Sequence, residues 1–101
     1  MKIIKILSKK IEDEMHDAEE YAKLAVMYRQ EYPEVSDTFL NLSRQEVSHA
    51  NMLHIQAERM IKEYRDNNNE VPEAMQAVYD WEHERMIDGM ARIKTMQDMV
   101  R

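Results

Sequence analysis

The sequence contains no cysteine. That excludes disulfides, thiolate metal sites and a cysteine nucleophile, and it leaves the cytoplasm as the default compartment. Glycine occurs once, phenylalanine once and proline twice in 101 residues. Strand formers are sparse, while Glu, Lys, Met, Ala, Arg and Gln dominate, so the chain reads as all-α. Basic residues are outnumbered, 14 to 20, for a formal charge of −6. No basic stripe offsets this, which argues against nucleic acid as a partner. A long hydrophobic run is also missing. The apolar start, Ile3-Ile4-Lys5-Ile6-Leu7, is too short to span a membrane. Lys9 and Lys10 interrupt it before any signal-peptide cleavage site could follow. It reads as the first turns of a helix, with a weak membrane-surface helix as the lesser alternative.

The length fits one domain with a modest three-helix core. Association with a second copy would add what so small a core lacks. Helix 1 is expected from about residue 3 to about 31, with the stripe Ile4, Leu7, Ile11, Met15, Ala18, Ala22 and Ala25. Pro33 marks a turn, since it begins a helix more readily than it continues one. Helix 2 is expected over about 34 to 65, with the stripe Val35, Phe39, Leu42, Ala50, Leu53, Ala57 and Met60. Asp66-Asn67-Asn68-Asn69-Glu70 supplies a second break. Helix 3 is expected over about 72 to 99, with the stripe Met75, Val78, Tyr79, Glu82, Met86, Met90, Ile93, Gln97 and Val100. Gly89 would allow another backbone to approach closely. The short first connection makes helices 1 and 2 an antiparallel hairpin. The expectation is a three-helix up-down-up bundle.

Each helix places a carboxylate on or near its apolar stripe. Glu46 falls near the middle of stripe 2, and His49 lies within roughly 60° of it. Glu14 lies roughly 55° from the centre of stripe 1. Glu82 is close to the centre of stripe 3, with His83 at its edge. A charge aimed at a core needs a cation, a proton or a metal as partner. Three inward carboxylates and a Glu-x-x-His pair match the ligand chemistry of di-iron and di-manganese carboxylate bundles. Carboxylates are hard anionic ligands that bridge two cations, and imidazole adds a neutral nitrogen. His16 and His54 lie off or at the edge of their stripes and read as solvated. The methionines of helix 3 read as adaptable packing.

The segment from Glu14 to His49 resembles the first half of a rubrerythrin-type ferritin-like domain. Glu14 is followed seven residues later by Tyr21, and the run Val35 to Ala50 leads into Glu46-Val47-Ser48-His49-Ala50, both as in that family. Glu82 is similar to the family's third-helix glutamate, although Gly89 stands where a tyrosine is expected. A fourth helix with a second Glu-x-x-His is missing, as is the rubredoxin-like cysteine module. The resemblance implies iron or manganese bound by Glu14, Glu46, His49 and Glu82, with ferroxidase or peroxidase-type chemistry. Tyr21 reads either as a hydrogen-bond partner of a ligating carboxylate or as a plain helix-packing residue. The resemblance also implies a homo-oligomer, because two chains would supply Glu14, Glu46 and His49 twice. Small encapsulated ferritins are similar in completing their site on dimerisation. The competing reading is a metal-free helical oligomerisation or interaction module, whose inward acids would pair with Arg44, Arg85 or Arg92, or hold protons.

Overall fold

The computed structural model describes residues 2–68 and 70–101. Among these residues there are three helices and no strand: α1 (Lys2–Tyr28), α2 (Pro33–Asn68) and α3 (Glu73–Val100). The all-α three-helix bundle is the architecture found. Its extents are 56 × 17 × 17 Å.

The α1–α2 hairpin is antiparallel and steps in sevens. Ser36 Oγ donates to the Ala25 carbonyl, and Ser43 Oγ donates to the Ala18 carbonyl at 2.7 Å. Further along, Ile11 clusters with Ala50 and Ile4 with Ala57. A seven-residue step is the repeat of helices that wind around each other in a left-handed sense. Ala18, Ala22, Ala25 and Ala50 are fully buried, and side chains this small let the two backbones approach closely.

Helix α3 lies mainly against α1 and runs parallel to it. Arg85 reaches Glu12 at 3.8 Å and Arg92 reaches Glu19 at 3.0 Å, again seven apart on both helices. Both arginines are well exposed, so these ion pairs contribute little beyond register. Against α2 it is antiparallel: Arg65 donates to Gln76 near one end, and Gln97 donates to Ser43 near the other. The core divides into two clusters. One joins Ile11, Met15, Ala18, Ala22, Ala50, Met86 and Ile93, and the other joins Ile4, Ala57, Ile61 and Met75. No helix among the described residues is long and apolar enough to cross a membrane.

Stripes 1 and 3 face the core as expected. The face of α2 is rotated by about one residue: Ser36, Leu40 and Ser43 are buried, whereas Val35 is exposed. The cause is chemical, since each serine hydroxyl satisfies itself on an α1 carbonyl and can occupy the seam. Helix α1 stops at Tyr28 rather than near residue 31. Helix α2 continues through Asn67 and Asn68, because Ile61 and Tyr64 pack on the second core cluster and carry the helix into the polar run. Asn69, in the expected break, lies outside the described residues, as does Met1. The close neighbour of Gly89 is a side chain rather than a second backbone: a Cβ there would stand 3.0 Å from Met15 Cε.

Candidate metal centre

Glu14 follows from its neighbour. Met15 is buried toward α3, so the residue before it, about 100° around the helix, points to the flank of the α1–α2 seam. On α2, Ala50 is in the core, which sets Glu46 and His49 on the same flank, one turn apart. One ligand atom each from Glu14, Glu46 and His49 fall within 4.8 Å of one another. His49 Nδ1 is 3.5 Å from Glu14 Oε2 and 3.8 Å from Glu46 Oε1. The two carboxylates are mostly covered, while the imidazole is 52% exposed. The group therefore opens to the surface on its histidine side.

Its electrostatics are set by the two neighbouring carboxylates. A hydrogen bond shared with Glu14, followed by burial and the Glu14 charge, pushes the Glu46 carboxyl up to about 7. His49 pulls it the other way. Glu14 Oε2 is buried and has no hydrogen-bond partner among the described residues. An oxygen left this way costs free energy that a bound cation would recover. Two carboxylates, one with an orphaned oxygen, and an imidazole nitrogen make a donor set that fits iron or manganese. Tyr21 stacks on Phe39 at 6.2 Å, a packing role on the same hairpin.

Glu82 does not join these three. It is buried on α3, with Oε2 3.6 Å from His54 Nδ1, and its other oxygen has no hydrogen-bond partner among the described residues. Burial raises its carboxyl above the usual range, with His54 and His83 opposing that shift. His54, expected in solvent, is instead 12% exposed and enclosed between helices. The reason is the rotated face of α2, which turns His54 toward α3. His83 accompanies it, with Nδ1 3.2 Å from His54 Nε2. The single-helix wheel missed His54 and its neighbour Glu58, although their i, i+4 spacing carried the signal.

The arginines expected to neutralise inward acids are occupied elsewhere. Arg44 donates to the Arg101 carbonyl, Arg85 pairs with Glu12 and stacks over Trp81, and Arg92 pairs with Glu19. Among the described residues none of them reaches Glu14, Glu46 or Glu82.

Beyond geometry, comparison with known families is decisive for ancestry. The rubrerythrin family model matches residues 5–98, nearly the whole chain. The chain belongs to the rubrerythrin family. No curated protein and no solved structure matches it. Rubrerythrin membership points to metal binding, with iron the typical metal, and the Glu14–Glu46–His49 group is a place in the fold able to hold a cation.

Proposed function

We propose that the protein binds iron, or manganese in its place, between Glu14, Glu46 and His49 of one chain and the same three residues of a second copy. The observation that carries this reading is the convergence of the three groups around a Glu14 oxygen that has no hydrogen-bond partner among the described residues. One chain offers two carboxylates and one imidazole there; two chains offer four and two, the complement of a carboxylate-bridged metal pair. The site opens on the side where His49 is exposed, which suits closure by another copy. Ile3 shares the face of Glu14 to within about 20°, and Met52 follows His49 by three residues. Both are exposed apolar residues that a second copy would cover.

A carboxylate-bridged iron pair supplies redox chemistry with dioxygen or peroxide, which makes ferroxidase or peroxidase-type activity the reading for the assembled site. The chain's own part is to hold and orient. Glu14 and Glu46 carry the negative charge that attracts a divalent cation. Glu46 releases its shared proton as a cation enters. His49 supplies the neutral nitrogen. The interaction-module reading loses its arginine pairing, since those arginines are engaged with other partners, and keeps only its second form, in which the inward acids hold protons.

The test is anaerobic loading with ferrous iron, desalting, and measurement of iron per chain together with oligomeric state. About one iron per chain in a dimer or larger assembly is expected, and Glu46→Ala should abolish it with the helical content intact. Retention of no iron or manganese would sink the reading.

A further inference from the structure

The middle of the α2–α3 contact rests on one histidine between two carboxylates. Helix α3 lies mainly against α1, and it reaches α2 through Gln76–Arg65 near one end and Gln97–Ser43 near the other. Between those ends sits His54. Its Nε2 is 2.9 Å from Glu58 Oε1 on α2, and its Nδ1 is 3.6 Å from Glu82 Oε2 on α3. The second separation is just longer than a hydrogen bond. Glu82 Oε1 and His54 Nδ1 are buried with no hydrogen-bond partner among the described residues. Glu58 is half exposed and reaches solvent.

A neutral imidazole has one N–H and one lone pair. Between two carboxylates it must turn the lone pair toward one of them. A single additional proton removes that conflict. Carried on Nδ1, it makes an imidazolium that faces both acids. Carried on Glu82, it makes a carboxylic acid that donates to Nδ1. In either form Nε2–H remains to donate to Glu58. Without that proton, Glu82 is a buried charge with at best a neutral partner, and Nε2 turns its lone pair on Glu58.

The other groups around the histidine do not replace that proton. From α3, Tyr79 and His83 stack on the His54 ring at 5.8 and 4.9 Å. The 3.2 Å approach of His83 Nδ1 to His54 Nε2 belongs to that stack. Burial, and then Glu58, push the Tyr79 hydroxyl up to about 12, so it keeps its proton and stays hydrogen-bonded to Glu58. Asp80 accepts from Gln76. From α1, Lys9 and Glu12 border the groove that Glu82 also lines, but Lys9 pairs with Asp13 at 3.0 Å and Glu12 with Arg85 at 3.8 Å. Burial raises the Glu82 carboxyl above its ordinary range, with His54 and His83 opposing. None of these residues belongs to the Glu14–Glu46–His49 group.

We propose that Glu58, His54 and Glu82 form a one-proton latch that seats the middle of α3 on α2, and that α3 loosens there as rising pH removes the proton. The sign follows from linkage. A proton that the seated state holds more tightly than the open state stabilises seating at low pH, and that stabilisation is lost as pH rises.

The test is NMR of the unaltered, metal-free chain from about pH 5 to about pH 8. The Glu82 carboxyl carbon and the His54 ring nitrogens should move in one shared step. Above that step, hydrogen-exchange protection of the α3 amides around Glu82, corrected for intrinsic exchange, should fall roughly tenfold per pH unit, the slope of one proton. Glu82→Gln should abolish that slope, whereas Glu46→Gln should keep it. Separate steps for Glu82 and His54, protection that stays level, or a slope that survives Glu82→Gln would overturn the proposal. If Glu82→Gln fails to fold, the shared step and the slope in the unaltered chain decide.

Discussion

The two flanks of α2 carry the same residue types in opposite circumstances. On the α1 side, Glu14, Glu46 and His49 meet at a rim that opens to solvent, and the donor set is half of what a metal pair requires. On the α3 side, His54, His83 and Glu82 are enclosed and braced by stacked rings, and the contacts among them lie within one chain. The difference shows how burial decides whether a polar cluster looks outward for completion or inward. An open cluster gains from a partner that covers it; an enclosed one must find its partners in its own helices.

The sharpest way to break this comparison is a pair of variants. Glu46→Ala should abolish iron retention, whereas His83→Ala should leave it in place, because His83 lies outside the Glu14–Glu46–His49 group. Iron per chain in both variants after ferrous loading would show it. Loss of iron from His83→Ala would mean that the flanks are not independent.

A large effect shared by both flanks is expected from the core between the helices. Leu40 is fully buried. Leu40→Ala should cost about 2–5 kcal/mol of stability in a urea melt, through lost burial and the cavity left behind.

The next effect separates the flanks by pH. In the unfolded chain Glu46 ionises near 4.5, but in the folded protein it holds its proton up to about 7. Across that window the folded state binds more protons than the unfolded one. The stability of the metal-free protein should therefore fall as pH rises from 4.5 through about 7, then level off. Glu46→Gln should flatten that slope in thermal melts across the range. Glu82, raised in the same direction by burial, contributes a slope of the same sign, which Glu82→Gln should remove separately.

The smallest effect concerns the link between the helices. Ser43→Ala deletes the hydroxyl that donates to Ala18 and accepts from Gln97. A cost of about 1–2 kcal/mol is expected by chemical denaturation, since a buried carbonyl on α1 loses its extra donor.

Much of this arrangement was legible before any coordinates. The stripes of α1 and α3 pointed to the right faces because their inward positions are apolar. Glu46 and His49, one turn apart, and Glu14 on the preceding helix could be seen to share a hairpin, and the structure brings the three together. The face of α2 was read one residue off, because hydrophobicity cannot reveal a serine that satisfies its hydroxyl on a neighbouring backbone. That same rotation hid His54. Its burial depends on α3, and no periodicity within α2 records what a third helix will place against it. Glu82 was correctly inward in pattern, but its companions could not be told from its own helix.

The serine hydroxyls have a further consequence. Ser36 and Ser43 grip carbonyls seven residues apart on α1. They act as two dowels between helices whose alanine surfaces are otherwise smooth enough to slide. A slip of one residue would carry Glu14 about 1.5 Å along the helix and swing it about 100° away from Glu46 and His49. The alignment of Glu14 with Glu46 and His49, on which the proposed metal capture would depend, is thus held by two small alcohols that lie outside the group.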